Sequence, residues 1–101
     1  MTTFVILLRW TEKGVEYIRE SPDRLEQFKQ VVNKAGGRVA SFHMTLGAYD
    51  LVTVIEVPDD ETGANISLSL RSLGNVQVET LRAFNEDEFR QIVAALPGGD
   101  T

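Results

Sequence analysis

The 101-residue chain contains no cysteine. That excludes disulfide bonds, a thiolate nucleophile, zinc–sulfur sites and iron–sulfur clusters, and it suits a reducing cytosol. Histidine is nearly absent: His43 stands alone, and one imidazole among scattered carboxylates does not make a metal site. No metal or cofactor is expected. Positive charge is scarce, with 10 Lys and Arg against 15 Asp and Glu and a net charge of −5. A basic surface large enough to hold a phosphate backbone is not expected, and neither is a nucleic-acid partner. Long apolar runs are missing as well. The stretch from Phe4 to Leu8 is too short for a signal-peptide core, and no basic segment precedes it. Nothing approaches the roughly 20 apolar residues of a membrane helix. The expectation is a full-length cytoplasmic protein with no membrane partner.

Catalytic signatures are absent too. Ser41 and His43 lie two apart on one strand face, which is ordinary alternation and not a nucleophile motif. Gly36-Gly37 and Gly98-Gly99 read as helix ends, not phosphate loops. The acidic run Glu86-Asp87-Glu88 suits the positive end of a helix dipole.

What is present is an ordinary globular balance, 43% hydrophobic and 25% charged, in a length that allows one domain, read as residues 1–97 with a disordered tail over 98–101. Thr3 to Arg9 is apolar and β-branched, a buried strand bounded by Trp10-Thr11. Glu12-Lys13-Gly14 reads as a turn. Ser21-Pro22 opens a helix with Ser21 as cap, and Leu25, Phe28, Val31, Val32 and Ala35 give it one apolar face. Gly36-Gly37 ends it. Arg38 to Leu46 alternates, with Ala40, Phe42, Met44 and Leu46 assigned to the core. Gly47-Ala48-Tyr49-Asp50 is a hairpin turn into a strand from Asp50 to Val57. Asp59 or Asp60 caps a second helix, buried through Ala64 and Leu68 with Ile66, Leu70 and Leu73 in support. Val76 to Phe84 is the fourth strand. A short helix capped near Asn85 follows, with Phe89, Ile92, Val93 and Leu96 apolar.

The order β-α-β-β-α-β plus a terminal helix predicts an α+β, ferredoxin-like split-βαβ sandwich. Its four-stranded antiparallel sheet runs 4-1-3-2 with both main helices on one face. Pairing Leu46 with Leu51 assigns faces and leaves Val5, Leu7, Val52 and Val54 on the uncovered side among Thr3, Arg9, Ser41, His43, Thr45 and Glu56. Apolar area left in water costs roughly 25 cal/mol per Å². A two-fold dimer of face-to-face sheets is the expected cover.

Four segments in order, Thr11-x-x-Gly14, Leu46-Gly47-Ala48-Tyr49-Asp50-Leu51, Glu56-Val57-Pro58-Asp59-Asp60 and Leu73-Gly74-Asn75-Val76, make the chain resemble the GYD-domain family from about Phe4 to Phe89. The resemblance implies the dimeric α/β-barrel superfamily, built from paired ferredoxin-like sheets, and no particular activity. The hairpin is also similar to the effector-binding domain of leucine-responsive-type transcription regulators. There a Gly-x-Tyr-Asp-like turn helps form amino-acid sites at subunit contacts. No helix-turn-helix segment accompanies it here, so DNA binding is not implied.

The strand order gathers Arg9, Trp10, Thr11, His43, Thr45, Tyr49, Asp50, Asn75 and Gln77 at one end of the sheet. Arg9 offers a fork for a carboxylate or phosphate, Asp50 an anchor for an amine, and His43 a group that titrates near neutrality. The blander reading has Arg9 pairing with Asp50 or Glu79, Asp50 bracing its own turn, Tyr49 packing at the hairpin or dimer seam, and His43 hydrogen-bonding at an interface.

Three functions compete. The leading one is a non-enzymatic ligand-binding or regulatory module. Its candidate residues Arg9, Thr11, His43, Tyr49, Asp50 and Asn75 take a small polar metabolite at a contact of a homodimer or higher oligomer. The second is a cofactor-free monooxygenase- or isomerase-like enzyme with His43 as general base, oriented by Asp50 or Glu56, beside a pocket between sheet and helices. The third is a structural or interaction protein.

Overall fold

The computed structural model describes residues 1–98; most of the expected tail, residues 99–101, lies outside them. The elements are β1 (Thr2–Trp10), α1 (Glu12–Glu16), a 3-10 turn (Ile18–Glu20), α2 (Ser21–Lys34), β2 (Arg38–Met44), β3 (Leu51–Val57), α3 (Asp60–Ser72), β4 (Val76–Ala83) and α4 (Glu86–Ala94). The four strands form one antiparallel sheet in the order β2-β3-β1-β4. Read from the other edge, this is 4-1-3-2, an α+β ferredoxin-like fold. β1 runs down the middle because its alternate residues Phe4, Ile6 and Leu8 are all buried. Against them pack Ile55 and Val57 from β3, Val78 from β4, Val32 from α2 and Ile66 from α3.

Local chemistry sets the helix starts. Asp59 caps α3, accepting from the backbone N–H and the hydroxyl of Thr62 at 2.8 and 2.6 Å. Those two bonds hold its carboxyl below the usual range. Asn85 caps α4 in a reciprocal box with Glu88. Ser21 does not cap α2. The preceding 3-10 turn runs straight into the helix, so Ser21 is already its first residue and Glu20 stands at the cap without a side-chain bond. The expected turn at Glu12-Lys13-Gly14 is a short helix, because the Thr11 hydroxyl accepts from the Gly14 N–H and caps it.

Three packing expectations are corrected. Leu51 pairs with Met44, not Leu46. Thr45 N–H donates to the Asp50 carbonyl at 2.8 Å and its hydroxyl to the Tyr49 carbonyl at 2.6 Å, so the hairpin tip takes Leu46 away from the sheet; Leu46 is 94% exposed. The slip is two residues, so every side chain up to the bulge keeps its face. A bulge between Val39 and Ser41 then turns Val39, not Ala40, toward the core. On α3 the buried residues are Gly63, Ile66 and Ser67, while Ala64 and Leu68 are exposed. Gly63 lets the Phe4 ring approach, and the Ser67 hydroxyl shares a 2.7 Å hydrogen bond with that of Thr80. Close backbone approach and a polar contact, together with the burial of Ile66, decide which way α3 faces.

Candidate functional site

The uncovered sheet face is laid out by the register. Val5 stands between Leu81 and Val54, and Leu7 between Glu79 and Val52, with His43 beyond Val52 on the edge strand. The apolar strip is therefore Val5, Leu7, Val52, Val54 and Leu81. The Arg38–Glu56 ion pair flanks one end.

The Gly-x-Tyr-Asp tip closes the other end. Its positive φ of 123° at Gly47 lets the chain turn there. Arg9 Nε donates to the Ala48 carbonyl at 2.6 Å, and the guanidinium lies 4.6 Å from the Tyr49 ring centroid. Tyr49 reaches across β1 and donates its hydroxyl proton to Glu79 Oε2 at 2.8 Å. Asp50 accepts from the backbone N–H of Trp10 at 2.9 Å while its own N–H donates to the Leu8 carbonyl. Asp50 thus braces the neighbouring strand, and Arg9 takes neither expected acid as an ion-pair partner among the described residues. Both acids already hold another donor.

Thr11 and Asn75 belong to a different construction. Thr11 N–H donates to the Asn75 carbonyl at 3.1 Å, the Thr11 hydroxyl to the Gly74 carbonyl at 2.7 Å, and Lys13 Nζ to the Leu73 carbonyl at 3.1 Å. This clamp ties the end of β1 to the start of β4. The structure joins Arg9, Tyr49 and Asp50 around the tip, places Thr11 and Asn75 in the clamp, and leaves His43 exposed two strands from β1.

The hydrogen bond from Tyr49 to the Glu79 carboxylate is the main cause that raises the phenol pKa. Burial and the negative charge of Glu79 add to it, and the Arg9 charge opposes. A raised phenol pKa means the folded chain holds the proton more tightly than the unfolded one. The stability it contributes is complete below the ordinary phenol value and is lost as pH rises through the raised one. In a Tyr17→Phe chain, ultraviolet titration should find Tyr49 ionising late, and Glu79→Gln should bring its midpoint down. An unchanged midpoint would contradict this account.

An apolar concave feature lies on the helix side. An apolar cavity of about 320 Å³ opens between α2, α3 and the sheet, with Leu25, Phe28, Phe42, Leu70, Leu73 and Val76 among its walls. Trp10 and Asn75 border it and His43 does not. Its signal in the sequence is a set of apolar residues at the rim of the core, Leu25 and Phe28 on α2, Leu70 on α3 and Leu73 just past its end.

These segments have counterparts elsewhere. The sequence profile described as the GYD domain matches residues 4–93. The chain belongs to the GYD-domain family. It is similar to a Thermus thermophilus protein named "Glutamine synthetase and cystathionine beta-lyase binding protein", 37% identical over 84 residues, which is 82% of this chain and 88% of that one. It is also similar to a protein of Thermus thermophilus solved by crystallography, with a TM-score of 0.54 and 25% identity over 84% of this chain and 95% of that one. Across this GYD chain the four signature segments fall where the fold is joined: the clamp, the hairpin tip and the Asp59 cap.

Proposed function

We propose that the protein is a non-catalytic interaction module that works as a pair of subunits and binds metabolic enzymes. The stated role of its Thermus thermophilus relative, binding two enzymes, supports this reading most directly. The surface agrees with it. The strip from Val5 to Leu81 calls for a cover, and the same strip on a second copy supplies one by two-fold symmetry. The helix-side cavity then stays on the outside of the pair, as a recess for an apolar anchor side chain of a partner protein. The enzymatic alternative loses support, since His43 is not at the cavity.

The test is gel filtration of the purified chain with glutamine synthetase or cystathionine beta-lyase from its own source organism. Co-elution with one of them is expected, and Leu73→Asp at the cavity mouth should abolish it. Independent elution from both would defeat the reading.

One observation favours a small polar ligand at the subunit contact as a second role. The terminal nitrogens of Arg9 carry no hydrogen bond or ion pair among the described residues, and Tyr49 and Ala48 fix the group in place. Such a ligand would raise the melting temperature of the native chain and have no effect on Arg9→Ala.

A further inference from the structure

Among the described residues, α4 lies against no other element extensively. Phe89, Ile92, Val93 and Leu96 form a stripe at helical spacing, and each is between 48% and 61% exposed. The Cα radius of gyration is 15.9 Å and the longest dimension 59 Å, whereas a compact chain of this length has a radius near ~13 Å. The apolar side of α4 therefore projects into water.

The junction keeps it there. Only Phe84 and Asn85 separate β4 from α4. The Phe84 ring sits 4.7 Å from the Arg82 guanidinium, which pairs with Asp60 at 3.2 Å. Asn85 is locked in its capping box, accepting from Glu88 N–H at 2.8 Å and donating to Glu88 Oε1 at 3.0 Å. Folding α4 back onto its own subunit would turn the chain at Phe84 and pull its ring from Arg82, whereas a cover from another molecule leaves that contact and the capping box as they stand.

We propose that α4 is an exchanged arm: in a two-fold pair of these chains, each α4 lays its apolar stripe along the margin of the other subunit's sheet. This rests on the pairing of sheet faces proposed above. The position fits, because β4 carries Leu81 on the uncovered face and continues directly into α4. The area fits as well. Four strands about 4.8 Å apart and roughly seven residues long present a footprint of only about 440 Å². A standard stable interface takes about 800 Å² from each partner. Giving one arm and receiving another, each about 13 Å long and 10 Å wide, brings the footprint to roughly 700 Å².

The experiment is an isotope-filtered NMR measurement on the full-length chain, mixing labelled and unlabelled subunits, with sedimentation on the same sample. The proposal expects a dimer whose Ile92 and Val93 methyls show cross-peaks to the unlabelled subunit. It also expects a dimer dissociation constant raised on the order of a hundredfold by Phe89→Ser with Ile92→Ser. A dimer without such cross-peaks overturns the arm and leaves the pairing standing. α4 signals that change only when a partner enzyme is added overturn it too, in favour of that enzyme as the cover. A lone subunit in sedimentation overturns both the arm and the pairing.

Discussion

Val54→Glu is expected to turn the proposed pair into single subunits while leaving each one folded. Val54 sits on β3 in the row Leu81–Val5–Val54–Ser41, near the middle of the uncovered face. In the proposed pair, a two-fold axis passing near Val54 brings the same residue from both copies into one contact. The substitution therefore buries two carboxylates with no cation assigned to them. Desolvation costs several kcal/mol per buried ion, and like charges add to it. The dissociation constant should rise by about a thousandfold or more. The single subunit tolerates the change, because Val54 is only half-buried there and Glu56 already occupies the same face with Arg38 as its partner. Sedimentation velocity at micromolar concentration measures the first effect and far-ultraviolet circular dichroism the second. Val54→Thr keeps the β-branched shape and should weaken pairing far less. A Val54→Glu chain that sediments like the native one would remove the sheet face from any interface.

Much of this arrangement is legible in the residues, and the parts that are not share a cause. The element order gives the sheet and its strand order, and strand alternation around Ile6 and Ile55 gives its two faces, because a period of two leaves little freedom once one side is apolar. The helix starts near Asp59 or Asp60 and near Asn85 are readable too, since a side-chain oxygen must meet an orphan N–H there, and the structure assigns the first cap to Asp59. What hydrophobic pattern does not reveal is close approach. Ser67 and Gly63 point inward on α3 while Leu68 points out, because the room beside Phe4 admits only a glycine and Thr80 wants a hydroxyl. The bulge at Ala40 is similarly silent, being one extra residue in an otherwise regular alternation.

The site divides along the same line. Topology correctly brings Arg9, Tyr49 and Asp50 to one end of the sheet, yet which acid meets which base depends on reach. The Tyr49 phenol spans β1 to Glu79, and Asp50 turns to the Trp10 backbone, so Arg9 is left with a carbonyl and a ring. Thr11 and Asn75 stand near the same edge, but the Thr11 N–H and hydroxyl and the Asn75 carbonyl go to joining strands. Among the described residues, the terminal nitrogens of Arg9 keep unused donors beside the tip.

Gly14→Ala is expected to destabilise the fold strongly, against what helix propensity says. Gly14 lies within α1, where alanine is the better helix former by about 1 kcal/mol. Propensity alone therefore predicts a small gain. Geometry reverses the sign. A Cβ at this position would stand 2.1 Å from the backbone oxygen of Asn75 and 3.1 Å from the Trp10 ring. The first neighbour is main chain and has no rotamer to change. Either α1 lifts or the 73–75 loop shifts, and each route breaks the Thr11 N–H bond to Asn75 and the Thr11 hydroxyl bond to Gly74. Two such bonds are worth about 1 kcal/mol each, and forced overpacking adds about 1–3 kcal/mol. After the propensity gain, the net loss is about 2–4 kcal/mol, or roughly 8–32 °C in melting temperature for a domain of this size. Gly47→Ala makes the contrasting case, since nothing lies within 4 Å of its added Cβ and only the backbone angle resists. Its cost should stay near ~1–2 kcal/mol. Thermal unfolding of the two variants side by side separates a glycine required for space from one required for its angle. A Gly14→Ala chain melting above the native one would mean that the clamp between Thr11 and Asn75 does not hold β1 to β4.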